Sequence, residues 1–240
     1  MDPALIAALL EPFLDRPLSP GQLGQISTYI DLLLRWNARI NLTAIREPEE
    51  IVTRHFGESF FLARHLFPME RRSPSPVPAR TPGDGSLTTD HRPLSTARVI
   101  DLGSGAGFPA LPLKIWAPQI HLTLIESNHK KAAFLREAAR ALTLTNIDVF
   151  ADRAEALSAR LGPEFPKADI VTFRAVEKFD RTLPLAATFL SPTARLALLI
   201  SSAQLPQLEA ALPNLTWRIT PIPQSNKRIL SIGEGSGAKQ

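Results

Sequence analysis

Between Ala97 and Glu234 short apolar runs alternate with helix-forming stretches, and this alternation constrains the chain more than any other feature. ARVIDL, HLTLIE, NIDVFAD, ADIVTF and ARLALLI read as strands, with helical segments such as LPLKIW and HKKAAFLREAARAL between them. Strands alternating with helices predict a mostly parallel sheet with right-handed crossovers. The last two runs, LTWRITPIP and KRILSI, are separated by only a turn, which predicts an antiparallel hairpin at one edge. Ahead of the sheet, Leu23, Ile26, Ile30, Leu33 and Leu34 recur at helical spacing between Pro20 and Ile40. A further stretch, EPEEIVTRHFGESFFLARHL, opens with Pro48 in its first turn and acids behind it, a favourable helix start. The expected organisation is a helical N-terminal extension over 1–69, an insertion over 70–96, an α/β domain over 97–234 and a tail over 235–240. The insertion holds five prolines and almost nothing apolar. It buries too little surface to offset its ordering entropy, and reads as a passive flexible linker.

Composition narrows the class. With 240 residues, 44% of them hydrophobic, the chain has enough material for a sizeable core. No apolar run approaches the ~20 residues needed to cross a bilayer. The start, MDPALIAALLEPF, lacks the basic opening of a signal peptide and reads as a short amphipathic helix. Cysteine is absent, which excludes disulfides, thiolate metal sites and a cysteine nucleophile. These features describe a soluble, cytoplasmic protein without a metal or membrane partner, expected as a monomer. The net charge is +4, and arginine supplies 20 of the 27 basic residues. Arginine suits phosphate recognition, but codon usage in a GC-rich genome gives the same bias, so charge alone does not select a partner.

The turn after the first strand, VIDLGSGAGFPAL, carries Gly103, Gly105 and Gly107 with Asp101 ahead of them. Ligands of such sheets sit beyond the carboxyl ends of the strands, where missing side chains let the backbone approach closely. The spacing is G-x-G-x-G. A dinucleotide fingerprint reads G-x-G-x-x-G, and its final position here is Phe108. Glu126 closes the second strand, 23 residues beyond Gly103. A carboxylate there accepts hydrogen bonds from ribose hydroxyls, which supports an adenosine-type ligand of either cofactor class. ADRAEAL follows the third strand, where Ala154 and Glu155 are candidates to meet an adenine. The edge hairpin and the glycine spacing favour S-adenosylmethionine. Methylation of pyrimidine C5 needs a nucleophile, normally cysteine, that this chain lacks. The loop after the fourth strand reads TFRAVEKF rather than the N/D-P-P-Y/F of exocyclic amino methylation. Aromatic ring nitrogens such as guanine N7, which need no general base, remain open.

WNARINLTAIREPEEIVTRHFGES, VIDLGSGAGFPALPL, LTLIESNHKKAAFLREAARAL, RAEAL and TFRAV together resemble the ribosomal RNA small subunit methyltransferase G family, also called glucose-inhibited division protein B. The resemblance runs from about Trp36 to Phe179 and more weakly to the end. It implies a class I methyltransferase: a Rossmann-like, mostly parallel seven-stranded sheet with an antiparallel edge hairpin. It further implies S-adenosylmethionine as cofactor and N7 of one guanine in 16S ribosomal RNA, free or in the small subunit, as target. Carried over by position, Gly103, Phe108, Ala154, Glu155 and Arg174 match cofactor-contacting residues, beside Asp101, Gly105, Gly107 and Glu126 of the same site. Arg174 and His55 are the catalytic candidates, none of them certain. Asn41, Arg54, His55, Lys130 and Lys131 are the candidates for meeting RNA. Three features depart from the family: Ser201 and Ser202 stand near its usual Lys-Gly pair, Ala110 replaces a common glycine, and the insertion is long. A protein of this fold that binds RNA without turnover, or a methyltransferase for another RNA or a small molecule, are the alternatives.

Overall fold

In a computed structural model of the protein, which describes residues 1–68, 96–162, 165–174 and 179–235, the seven apolar runs lie side by side in one sheet. The strands are β1 (Arg98–Leu102), β2 (His121–Ile125), β3 (Ile147–Phe150), β4 (Ala168–Arg174), β5 (Leu190–Ser201), β6 (Leu215–Pro221) and β7 (Arg228–Gly235). Their order is β3-β2-β1-β4-β5-β7-β6. The first five pair in parallel, and β7 enters antiparallel between β5 and β6. The direction of winding reverses at β1, between β2 and β4. That reversal opens a crevice at the carboxyl end of β1, where a ligand site is expected on topological grounds.

Helices cover both faces. Helix α1 (Pro3–Leu10), α2 (Pro20–Asn37), α5 (Ala110–Trp116) and α6 (His129–Ala141) share one apolar core with the long helical stretch that begins at Pro48. The N-terminal helices therefore do not form a separate layer; their apolar stripe is buried in the same core as α5 and α6. Helix α2 starts with a reciprocal cap between Ser19 and Gln22, and it buries Ile26, Tyr29, Ile30, Leu32 and Leu33. Each such side chain contributes roughly 1.5–3 kcal/mol on burial. On the opposite face, α7 (Ala154–Leu161), α8 (Phe179–Phe189) and α9 (Leu205–Ala211) pack around Phe173, Leu183, Phe189 and Leu198.

One element differs from the periodicity reading. The helix expected from Pro48 runs as α3 (Pro48–Glu50), a π-helical segment (Ile51–Gly57) and α4 (Glu58–Leu66). The wide turn ends at Gly57, where a Cβ would lie 2.7 Å from the Phe13 ring. Phe13 occupies that space, an arrangement no local pattern announces. The insertion expected over 70–96 lies, except for its last residue, outside the described residues. So does the tail beyond Gly235.

Candidate functional site

The site is built where β1 ends. Gly103, Gly105 and Gly107 have φ of +66°, +54° and +84°, conformations that cost a side-chain-bearing residue strain. The Gly103 and Ser104 amides both donate to the Ile125 carbonyl, at 2.8 and 3.2 Å. The Gly105 amide donates to Glu126 at 2.8 Å. Glu126 also accepts from the Asn128 amide at 2.7 Å, so the loop is tied to the end of β2. Gly107 is required by packing as well as conformation, because a Cβ there would sit 2.4 Å from the Tyr29 hydroxyl. Tyr29 comes from α2. Its hydroxyl donates to the Ala106 carbonyl, and its ring stacks on Phe108 at 5.2 Å and 4°. Phe56 meets both rings edge-on. The helical extension thus forms the floor of the glycine loop.

Two cavities flank Gly103. One, of about 250 Å³, is lined by His55, Gly103, Gly105, Phe108, Glu126, Lys131 and Arg174, with Thr43 among its other walls. The second, of about 300 Å³, lies over Ile125 and Ser127 and is lined by Asp152, Ala154 and Glu155. Asn37 shapes the rim of the first. Its side-chain oxygen accepts from the Leu42 and Thr43 amides, and its amide group donates to the Thr43 carbonyl. Thr43 then meets His55 Nε2 at 2.8 Å, while the imidazole stacks on Phe108 at 4.6 Å.

The electrostatics converge on Glu58. Its carboxylate, 2% exposed, is paired with Arg228 at 2.8 Å, Arg174 at 3.3 Å and Arg54 at 3.4 Å. Three guanidinium groups around one carboxylate leave the neighbourhood positive. Burial lowers the Arg174 guanidinium to about 10 against the pull of Glu58, so it stays charged at neutral pH. Its Nη1 is buried and has no hydrogen-bond partner among the described residues. Burial, followed by Arg174, Arg54 and Arg228, holds the His55 imidazole down at about 3. His55 is therefore neutral, with its Nδ1 also unpartnered among the described residues. Behind the loop, burial above all, with a smaller contribution from the Glu126 carboxylate, pushes the Asp101 carboxyl well above the usual carboxylate range.

The structure brings most of the expected residues together and sets some apart. Gly103, Gly105, Phe108, Glu126, Arg174, His55 and Lys131 share the first cavity, and Ala154 and Glu155 share the second. Asp101 and Gly107 lie buried behind the loop. Asn41 is exposed and outside both cavities. Arg54 faces Glu50 and Glu58, and Lys130 lines a different groove from its neighbour Lys131. Sequence reasoning passed over Glu58, Tyr29, Asn37, Thr43 and Arg228. Glu58 and Thr43 fall inside quoted motif blocks, but nothing local shows that one carboxylate serves three arginines from distant elements. The serine at the expected Lys-Gly position has a structural counterpart: Arg228 on β7 pairs with Ser201 on β5, placing a cation beside that strand end.

No group of three His, Asp or Glu side chains placed to hold a metal occurs among the described residues. Nor is any described helix long and apolar enough to cross a membrane. A seven-stranded sheet of this order, with a glycine loop at the switch point and an acid closing β2, defines the class I methyltransferase fold. Solved structures agree. A predicted O-methyltransferase from Agrobacterium tumefaciens matches with a TM-score of 0.51 at 19% identity, over 63% of this chain and 78% of that one. A ribosomal protein L11 methylase from Lactobacillus delbrueckii subsp. bulgaricus matches with 0.50 at 15% identity, over 75% and 79%.

Sequence relatives narrow the class. The family model for rRNA small subunit methyltransferase G matches residues 22–72 and 87–218, well over half of the chain. The chain belongs to that family. Ribosomal RNA small subunit methyltransferase G of Stenotrophomonas maltophilia is 37% identical over 79% of this chain and 74% of its own length. The Chloroflexus aggregans protein of that name is 38% identical over 70% of this chain and 61% of its length. The Bacillus subtilis one is 36% identical over 68% and 57%. The match thus spans about three fifths of the length of the last two relatives.

Proposed function

We propose that this chain is an S-adenosylmethionine-dependent methyltransferase that methylates N7 of a guanine in 16S ribosomal RNA of the small subunit. The observation that carries the reading is that the Glu126 carboxylate and the Arg174 guanidinium line one cavity with Gly103 in a chain of this family. S-adenosylmethionine has a ribose diol, an α-carboxylate and an adenine, and the residues present fit each. Glu126 keeps lone pairs for the diol beside its two backbone bonds. Arg174, whose buried Nη1 has no hydrogen-bond partner among the described residues, lines the cavity and suits a carboxylate, a bond to a charged group being worth about 1.5–3 kcal/mol. Ala154 and Glu155 border the second cavity, on the side where an adenine would lie. When bound, the cofactor supplies an electrophilic methyl group on a sulfonium sulfur.

Guanine N7 already presents its lone pair at neutral pH, so the chain has no proton to remove. A neutral His55 held near 3 is a poor base and suits that chemistry. His55 and Phe108, stacked together, present a flat wall against which a base can lie. What remains is alignment of nucleophile and methyl carbon, which can supply roughly 7–11 kcal/mol. The extension over 1–69, through Tyr29, Thr43 and His55, builds one side of the site. The protein is proposed to act in the cytoplasm, as a monomer.

The test is methyl transfer from labelled S-adenosylmethionine to small subunits from a strain lacking the modification, with naked 16S RNA alongside. Label as 7-methylguanosine at one position supports the reading. Bound cofactor with no label on either substrate overturns it.

A further inference from the structure

A groove of about 450 Å³ lies next to the first cavity, between the end of α2 and the start of α6. It is lined by Arg35, Trp36, Arg39 and Lys130, with Glu137 as its single acid. All three cations are exposed, and none forms an ion pair with a described residue. By contrast, Arg54, Arg174, Arg195 and Arg228 are all paired with carboxylates. Trp36 is half-buried, its ring braced edge-on by Phe134 at 5.7 Å. The groove and the cavity are lined by neighbouring stretches of chain. Ile40 lines one and Leu42 the other, and Lys130 faces the groove while Lys131 faces the cavity.

We propose that this groove binds the single-stranded RNA nucleotide that flanks the target guanine. Its phosphate lies among Arg35, Arg39 and Lys130, and its base stacks on Trp36. The inference rests on the RNA reading of the site and names where the strand runs next. Loose cations beside a braced aromatic ring are the combination that holds single strands, cations tracking the backbone and the ring taking a base. A duplex keeps its bases stacked on one another and offers none to Trp36. The groove therefore selects an unpaired loop.

The test uses the full chain with saturating S-adenosylhomocysteine and a labelled guanine-containing 10-mer RNA, single-stranded or annealed to its complement. Anisotropy is read across a salt series. The wild type is expected to prefer the single strand and to show quenching of tryptophan fluorescence on binding. The Arg35→Gln/Arg39→Gln/Lys130→Gln variant is expected to bind at least tenfold more weakly. Its log–log salt slope should be shallower by about 0.7, the value for one lost single-strand phosphate contact. Trp36→Leu should lose roughly five- to hundredfold together with the quench, and Trp36→Phe should restore most of the affinity. S-adenosylhomocysteine binding, measured by calorimetry, should be unchanged in all three variants, which separates docking from folding. Wild-type affinity and salt slope in the triple variant, equal binding of the duplex, or equal affinity of the Leu and Phe variants would each overturn the groove. A wild type that binds neither RNA while holding the cofactor overturns the groove, whereas the ribosomal RNA reading falls only if methyl transfer to both small subunits and 16S RNA also fails.

Discussion

Replacing Glu58 with glutamine removes one charge and leaves two largely buried guanidinium groups, Arg174 and Arg228, without their carboxylate. Glu58 is 2% exposed; Arg174 and Arg228 are 9% and 19% exposed, and Arg54 is 45% exposed. The exposed Arg54 pair is worth only about 0–1 kcal/mol, because solvent screens it. Breaking a buried pair by removing one partner costs about 3–5 kcal/mol, because the remaining charge stays desolvated. Arg174 and Arg228 both lose their carboxylate, so Glu58→Gln is expected to destabilise the fold by about 4 kcal/mol or more. A domain of this size has about 5–15 kcal/mol in total, and each kcal/mol shifts Tm by about 2–4 °C. The midpoint should therefore fall by about 8–16 °C. Urea titration and thermal melting at pH 7 measure it. Adding Arg54→Gln should recover up to about 1 kcal/mol by removing a like charge near Arg174 and Arg228. Sulfate should stabilise Glu58→Gln more than wild type, since an anion takes the vacated position. A variant within 1 kcal/mol of wild type would show that Glu58 does not neutralise the cluster, and the account of how Arg174 is held would fail.

The fold also makes acid sensitivity predictable: below pH 6.5 the unfolded chain takes a proton on His55 that the folded chain, held at about 3, does not. Stability is then lost on acidification, by up to about 1.4 kcal/mol per pH unit, and urea titrations at pH 6.5 and 5 should show a loss about 1.6 kcal/mol smaller in His55→Gln. Gly107→Ala forces a Cβ to 2.4 Å from the Tyr29 hydroxyl at φ +84°, and should cost about 1–3 kcal/mol from backbone strain alone. Combined with Tyr29→Phe it should cost less than the sum of the two, and strict additivity in a double-mutant cycle would place the clash elsewhere. Glu126→Gln should weaken S-adenosylmethionine binding about ten- to hundredfold in calorimetry, and unaltered affinity would remove Glu126 from the ribose.

Much of this was written locally. Apolar runs of strand length separated by helical stretches determined the sheet, because a parallel pair needs a crossover and a turn-linked pair needs none. The glycine loop and Glu126 were legible because close backbone approach restricts the residues that fit, and because an acid at a strand end is fixed in position by the strand. His55, Arg54 and Lys130 were visible as residues but not as roles. Adjacent positions on a helical turn point to different places, so Lys130 and Lys131 part into two cavities, and Arg54 turns toward Glu58. Tertiary structure alone decided that α2 lies beneath the glycine loop, so that Tyr29 supports Ala106 from 77 residues away. It alone decided that Glu58 gathers arginines from the π-helical segment, β4 and β7. Composition and periodicity report how each segment meets solvent, and they carry no information about which distant charge a buried carboxylate will face. That was settled when the helical extension and the sheet closed around one core.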